Sequence, residues 1–111
     1  MNVSAQINPF FNLCKNIKKL SLCDCKTVKL FKITQNENNT PNYKSKAYIE
    51  LGELEEANSK FNLAIKYYNC AIDLSIGKSK ELVSKAYWRL AVLYDESRDI
   101  ENAIKYYQKN Y

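Results

Sequence analysis

The stretch Ser84-Lys85-Ala86-Tyr87-Trp88-Arg89-Leu90-Ala91-Val92-Leu93-Tyr94, then Asp95-Glu96-Ser97-Arg98-Asp99, then Ile100-Glu101-Asn102-Ala103-Ile104-Lys105-Tyr106-Tyr107, decides the fold. Tyr87, Leu90, Ala91 and Tyr94 fall at i, i+3, i+4 and i+7, and Ile100, Ala103, Ile104 and Tyr107 keep the same spacing. On an α-helix each set forms one apolar stripe, whereas a strand would need alternation at every second residue. Two amphipathic helices are therefore expected, separated by the polar break Asp95 to Asp99. Asp99 suits an N-cap for the second helix, with Glu101 well placed in its positive first turn.

Sliding the chain along itself by 39 residues lays residues 45–72 over 84–111 with eleven identities in 28 positions. Unrelated sequences would give roughly two. Ser45-Lys46-Ala47-Tyr48 returns as Ser84-Lys85-Ala86-Tyr87, Leu51 and Leu54 return as Leu90 and Leu93, and Ala64-Ile65-Lys66-Tyr67-Tyr68 returns as Ala103-Ile104-Lys105-Tyr106-Tyr107. The earlier copy thus carries the stripes Tyr48, Leu51, Gly52, Leu54 and Phe61, Ala64, Ile65, Tyr68, broken near Asn58-Ser59. Gly77 is suited to end the helix before it and Ser79 to cap the one after. A second register, with Ala57, Phe61 and Ala64 as the packing residues of the second helix, also fits the first copy but breaks the 39-residue match.

These residues resemble the tetratricopeptide repeat family. Its pattern of an aromatic, Leu-Gly, Tyr, and later Ala with an aromatic four on reads as Tyr87, Leu90-Ala91, Tyr94, Ala103 and Tyr107, and as Tyr48, Leu51-Gly52, Ala64 and Tyr68. The chain departs from it in three ways. Glu55 stands where the pattern has Tyr, Ser59 and Arg98 stand where the family turns on Gly, and the period is 39 where the standard repeat has about 34. A longer-period tetratricopeptide variant and the related SEL-like repeats both accommodate that length. The resemblance implies an all-α fold of antiparallel helix pairs stacked as a short right-handed α-solenoid, with repeats at about 45–76 and 84–111 inside a region spanning 44–111.

Residues 1–43 read differently. They hold six Lys against Asp24 and Glu37, while residues 44–111 hold eleven basic and ten acidic groups. Residues 1–33 are expected to form a basic segment with one helix, begun by Asn8-Pro9 and carrying Phe10, Leu13, Cys14, Ile17 and Leu20 on one side. Lys26 to Ile33 is open between helix and strand, and the polar residues 34–43 read as a linker. The basic leader admits nucleic acid as a third-ranked partner, though six scattered Lys make a modest field.

No apolar run approaches the roughly 18 residues of a membrane span, and Met1 to Phe11 lacks the pattern of a secretory signal. Cytoplasmic residence with free thiols is expected, and a mitochondrial presequence is the rival, since residues 1–23 contain no acid. The chain has no His, which removes the usual general base and a common zinc ligand. Cys23-Asp24-Cys25 with Cys14 upstream therefore makes a poor metal set, and Cys70 reads as a small packing residue. Two Gly cannot build a phosphate-cradling loop, and Glu53, Glu55 and Glu56 read as a solvated helix face. Neither catalysis, a cofactor nor a metal is expected.

What remains is binding of another protein. The groove lined by the first helix of each repeat points to Ile49, Glu50, Glu53, Lys85, Trp88, Arg89 and Val92 as candidate contacts for a peptide or helix. Lys85 and Arg89 lie four apart on one helix face. They resemble half of the clamp with which some tetratricopeptide domains hold a chaperone's C-terminal carboxylate. Ile49, Glu50 and Glu53 occupy the other half, where acids would repel a carboxylate, and Arg89 is within reach of Glu50. The alternative function is structural: stacked repeats generally need about three units, so the chain also reads as part of a longer solenoid or a self-associating scaffold.

Overall fold

The computed structural model describes residues 22–109. Five helices follow one another: α1 Leu22–Gln35, α2 Pro41–Ala57, α3 Phe61–Ser75, α4 Lys80–Glu96 and α5 Ile100–Gln108. No strand occurs among the described residues, so the fold is all-α, built as antiparallel pairs α2 with α3 and α4 with α5. The N-terminal helix expected around Phe10 to Leu20 lies outside the described residues.

The 39-residue repeat is written into the geometry. Pro41 and Lys80, Ala57 and Glu96, and Phe61 and Ile100, which bound the helices, are each 39 apart. So are the N-caps Thr40 and Ser79, whose hydroxyls accept from the amides of Tyr43 and Leu82. Ring centroids of Tyr48 and Tyr67 lie 6.0 Å apart at 34°, and those of Tyr87 and Tyr106 reproduce both values. With α3 beginning at Phe61 and Ala57 closing α2 in an exposed position, the alternative register fails.

Each break between paired helices turns on a residue in the left-handed region, Ser59 at φ 63° and Arg98 at φ 68°. A Cβ there crowds the backbone, so both positions are strained where the family pattern uses Gly. The turn between the repeats does use glycine, Gly77 at φ 77°. Beyond it Ser79 caps α4, and Asp99 caps α5 by accepting from the amide of Asn102.

Small residues set how closely the axes approach. Ala64, Ala71, Ala86 and Ala91 are fully buried along with Leu51, Tyr68 and Leu90, and Ile49 and Leu93 are nearly so. Gly52 is the tightest point: a Cβ on it would lie 2.5 Å from Tyr68 Cε1. In the second repeat Ala91 replaces Gly52, and the matching aromatic Tyr107 stays half-buried, its ring edge-on to Trp88 at 5.3 Å. Ser45 Oγ and Ser75 Oγ both donate to the Ala71 carbonyl, at 2.9 and 2.8 Å, tying the start of α2 to the end of α3.

Residues 26–33, open between strand and helix in the sequence, are helical. Leu30 and Ile33 turn inward onto Ala47, Leu51 and Tyr67, and apolar burial outweighs the β preference of Thr27, Val28 and Ile33. Thr34 and Gln35 finish α1 and Pro41-Asn42-Tyr43 open α2, which leaves residues 36–40 between the two helices. Each first helix also starts four residues before the self-match, at Pro41 and Lys80, because its first turn differs between the copies: Pro41 to Lys44 carries no buried residue, whereas Lys80 to Val83 buries Leu82 and Val83.

Candidate functional site

Six of the seven candidate groove residues reach the surface in some degree; Ile49 does not. At 1% exposure it belongs to the core with Ala64, Tyr68, Ala71 and Ala86, so its place in the groove is withdrawn. A β-branched apolar residue beside a stacked neighbour gains more from burial than a groove would return. Lys85 is exposed, Val92 is half-buried, and Trp88 is 47% exposed with its inner edge on Tyr107.

Arg89 is the organising charge. Its Nε lies 3.5 Å from Glu53 Oε2, its Nη2 lies 3.1 Å from Glu56 Oε1, and Nε also donates to the Tyr68 hydroxyl at 3.4 Å. Tyr68 in turn donates to Glu56 Oε1 at 2.8 Å. The partner expected from the sequence, Glu50, is instead 3.6 Å from Lys26 on α1. Glu50 sits one turn before Glu53 on α2, too far toward the helix N-terminus once Arg89 reaches across the seam to Tyr68.

Burial gives this cluster its strength. The Glu56 side chain is 8% exposed and that of Arg89 28%, so their attraction is screened far less than a surface pair would be. Burial holds the Tyr68 phenol well above its usual range; the Arg89 hydrogen bond opposes that and the Glu56 carboxylate reinforces it. Burial opposes the Arg89 charge, but Tyr68, Glu56 and Glu53 outweigh it, and the guanidinium is held above its ordinary value.

Glu96, at the end of α4, completes the arrangement. Its carboxyl is pushed up, first by hydrogen bonding with Glu56, then by burial and by the Glu56 charge, while Arg89 pulls the other way. Glu53, Glu56, Ala57, Arg89 and Glu96 line a shallow cavity of about 240 Å³ between the two first helices. Three carboxylates share one guanidinium, so the cavity carries negative charge that a basic group can answer. Of the pair that resembles half a carboxylate clamp, Arg89 is ion-paired with Glu53 and Glu56, and Lys85 does not line this cavity.

Glu53, Glu55 and Glu56 do not form one solvated face. Only Glu53 and Glu56 point into the seam; Glu55 is 2% exposed on another side of α2, with Oε1 lacking any partner. It lies near Tyr67, whose phenol is pushed up by burial and then by the Glu55 charge. Glu56, Tyr68 and Glu96 are the members of this cluster that the sequence did not yield as site candidates. Glu53 and Glu56 are three apart, a spacing that places them together, but nothing in the sequence says that Arg89 crosses to meet them.

Cys25 and Cys70 are free and half-buried, and burial pushes the Cys70 thiol up, then Asp73, against Lys66. That suits a packing residue better than a nucleophile. Cys14 and the Cys23 side chain lie outside the described residues. No described helix is long and apolar enough to cross a membrane.

Searches of curated proteins and of solved structures gave no match. The family model described as tetratricopeptide repeat matches residues 43–109, which takes in both helix pairs, the left-handed turns and the Arg89 cluster. With its 39-residue helix pairs and the match over more than half its length, the chain belongs to the tetratricopeptide repeat family.

Proposed function

We propose that the chain binds a segment of another protein in the groove between α2 and α4, and that the segment places a basic side chain in the Glu53, Glu56, Glu96 cavity. Tetratricopeptide repeats are in general protein–protein interaction modules, and the family is a non-catalytic scaffold. The observation that supports the finer reading is the charge imbalance around Arg89: three carboxylates face one cation. A Lys, Arg or N-terminal amine from a partner would satisfy Glu96 and Glu53 without breaking the buried Arg89–Glu56 pair. Val92 and the exposed part of Trp88 supply apolar contact beside it.

The test uses the double variant Glu53→Lys, Glu96→Lys. Both side chains are at least partly exposed, so the fold should keep its helical circular dichroism. Peptides selected from a random library on the unaltered protein are expected to be rich in Lys and Arg and to lose binding at least tenfold on the variant. Selection of acidic peptides ending in a free carboxylate, or equal affinity for both proteins, would refute the reading. Trp88→Ala and Arg89→Glu are poorer probes, because Trp88 packs on Tyr107 and Arg89 holds Tyr68 and Glu56 in place.

A further inference from the structure

The described charges are sorted along the helix axes. Successive helices reverse direction across short turns, so the starts of α2 and α4, the ends of α1, α3 and α5, and the turns at 36–40 and 76–79 lie at one end of the molecule. Divided at the helix midpoints, that half holds nine Lys against Glu37, Asp73 and Glu81, whereas the opposite half holds nine acids against five cations. α2 and α4 are each 17 residues long, which is about 25 Å. The two ends are thus separated by more than the screening length of about 8 Å at physiological salt, and each presents its own field.

Apolar side chains stand out at the basic end. Ile76, just past α3, is 52% exposed, and Tyr43, in the first turn of α2, is 49% exposed. The Ser45 bond to the Ala71 carbonyl holds these two segments side by side. Exposed Lys78 and Lys80 follow Ile76, and with Gly77, Ser79 and Val83 they line an open cavity of about 340 Å³. Neither Lys78 nor Lys80 is ion-paired among the described residues, in contrast to Lys26 and Arg89 in the acidic half.

We propose that this basic end docks on the surface of an anionic phospholipid membrane. The cavity takes a negatively charged headgroup between Lys78 and Lys80, while Ile76 and the Tyr43 ring enter the boundary between headgroups and acyl chains. A nucleic-acid backbone would be answered by Lys and a stacking ring alone; an aliphatic side chain at the tip of a basic turn gains burial only at an apolar boundary. The acidic half turns away from the negative surface, which leaves the Glu53, Glu56, Glu96 cavity open to water at the far end.

The experiment sediments the whole chain with phosphatidylcholine vesicles, alone or carrying about 30% phosphatidylserine. Binding at least tenfold tighter to the anionic vesicles is expected, falling as salt is raised. The double variant Lys78→Glu, Lys80→Glu should lose at least tenfold, and Ile76→Ser about threefold or more. Lys60→Glu with Arg98→Glu makes the same change of net charge in the acidic half and should bind as the unaltered protein does. All five residues are exposed, so the helical circular dichroism should be kept throughout. Equal binding to both kinds of vesicle, or equal losses from the two double variants, overturns the proposal. So does binding to a duplex oligonucleotide that exceeds vesicle binding and ignores Ile76→Ser. A salt-sensitive oligomer of the protein alone that Lys78→Glu, Lys80→Glu dissociates also overturns it, because the basic end would then face the acidic end of a second copy.

Discussion

At Gly52 the absence of a side chain decides where an aromatic ring goes. A methyl there would meet Tyr68 Cε1 at 2.5 Å and Cδ1 at 2.7 Å, and the ring cannot retreat because it is fully buried and hydrogen-bonded to Glu56 and Arg89. Gly52→Ala should destabilise the protein by about 1–3 kcal/mol in urea denaturation, even after its gain in helix propensity. The same methyl already exists at Ala91, where Tyr107 lies half-buried against Trp88. Glu55 is the opposite case, a buried carboxylate with one oxygen unpaired where the second repeat has Tyr94 stacked on Tyr106 at 5.4 Å. Removing its charge with Glu55→Gln should raise stability by about 1 kcal/mol, read as a higher urea midpoint with unchanged slope. The sequence marked both residues, Gly52 as a pattern match and Glu55 as a departure. It could not show that Glu55 is buried while Glu53, two residues away, is not, because that depends on which side of α2 packs toward Tyr67 of α3.

At the scale of the helices, ends and turns follow local chemistry, and local chemistry is readable. Ser79 and Asp99 cap α4 and α5, and Gly77 turns the chain between repeats, as their residue types require. Ser59 and Arg98 show what happens when the chemistry is missing: the turn forms anyway, since packing of the paired helices enforces it, and the strain stays in the backbone. Ser59→Gly and Arg98→Gly should each stabilise by roughly 1 kcal/mol, the left-handed penalty less the entropy of glycine, and together should add. α1 was harder to read. Its stripe of Leu30 and Ile33 is short, and Thr27, Val28 and Thr34 favour a strand in isolation. Only the exposed side of α2 that it covers makes the helix the better solution.

For the molecule as a whole, the seam between repeats matters most, because there the stacking that builds the fold also builds the site. Arg89 crosses from α4 to Tyr68 and Glu56, so the same contacts hold the repeats together and fix the cavity. The 39-residue self-match made the two repeats legible, but it compares each residue with its own counterpart. It is blind to contacts between unlike positions such as Arg89 with Glu56, which is why Glu50 looked the natural partner. Glu96, facing Glu56 with Glu53, Asp95 and Arg89 nearby, has a pKa raised on folding. The folded protein therefore binds that proton more tightly than the unfolded chain. This contribution to stability is present below the ordinary carboxylate range and is lost as pH rises through the folded pKa. Glu96→Gln should thus raise the Tm near pH 7, with the difference from the unaltered protein closing toward about pH 4.

Recognition of a basic segment by the groove between α2 and α4 can be followed by titrating a selected Lys- or Arg-bearing peptide into isotopically labelled protein and reading the backbone amide shifts. Glu53, Arg89, Val92 and Glu96 are expected to move first, and the shifts to shrink as salt is raised. Shifts confined to α5 or to the loop at Gly77, with those four amides unmoved at saturation, would contradict it.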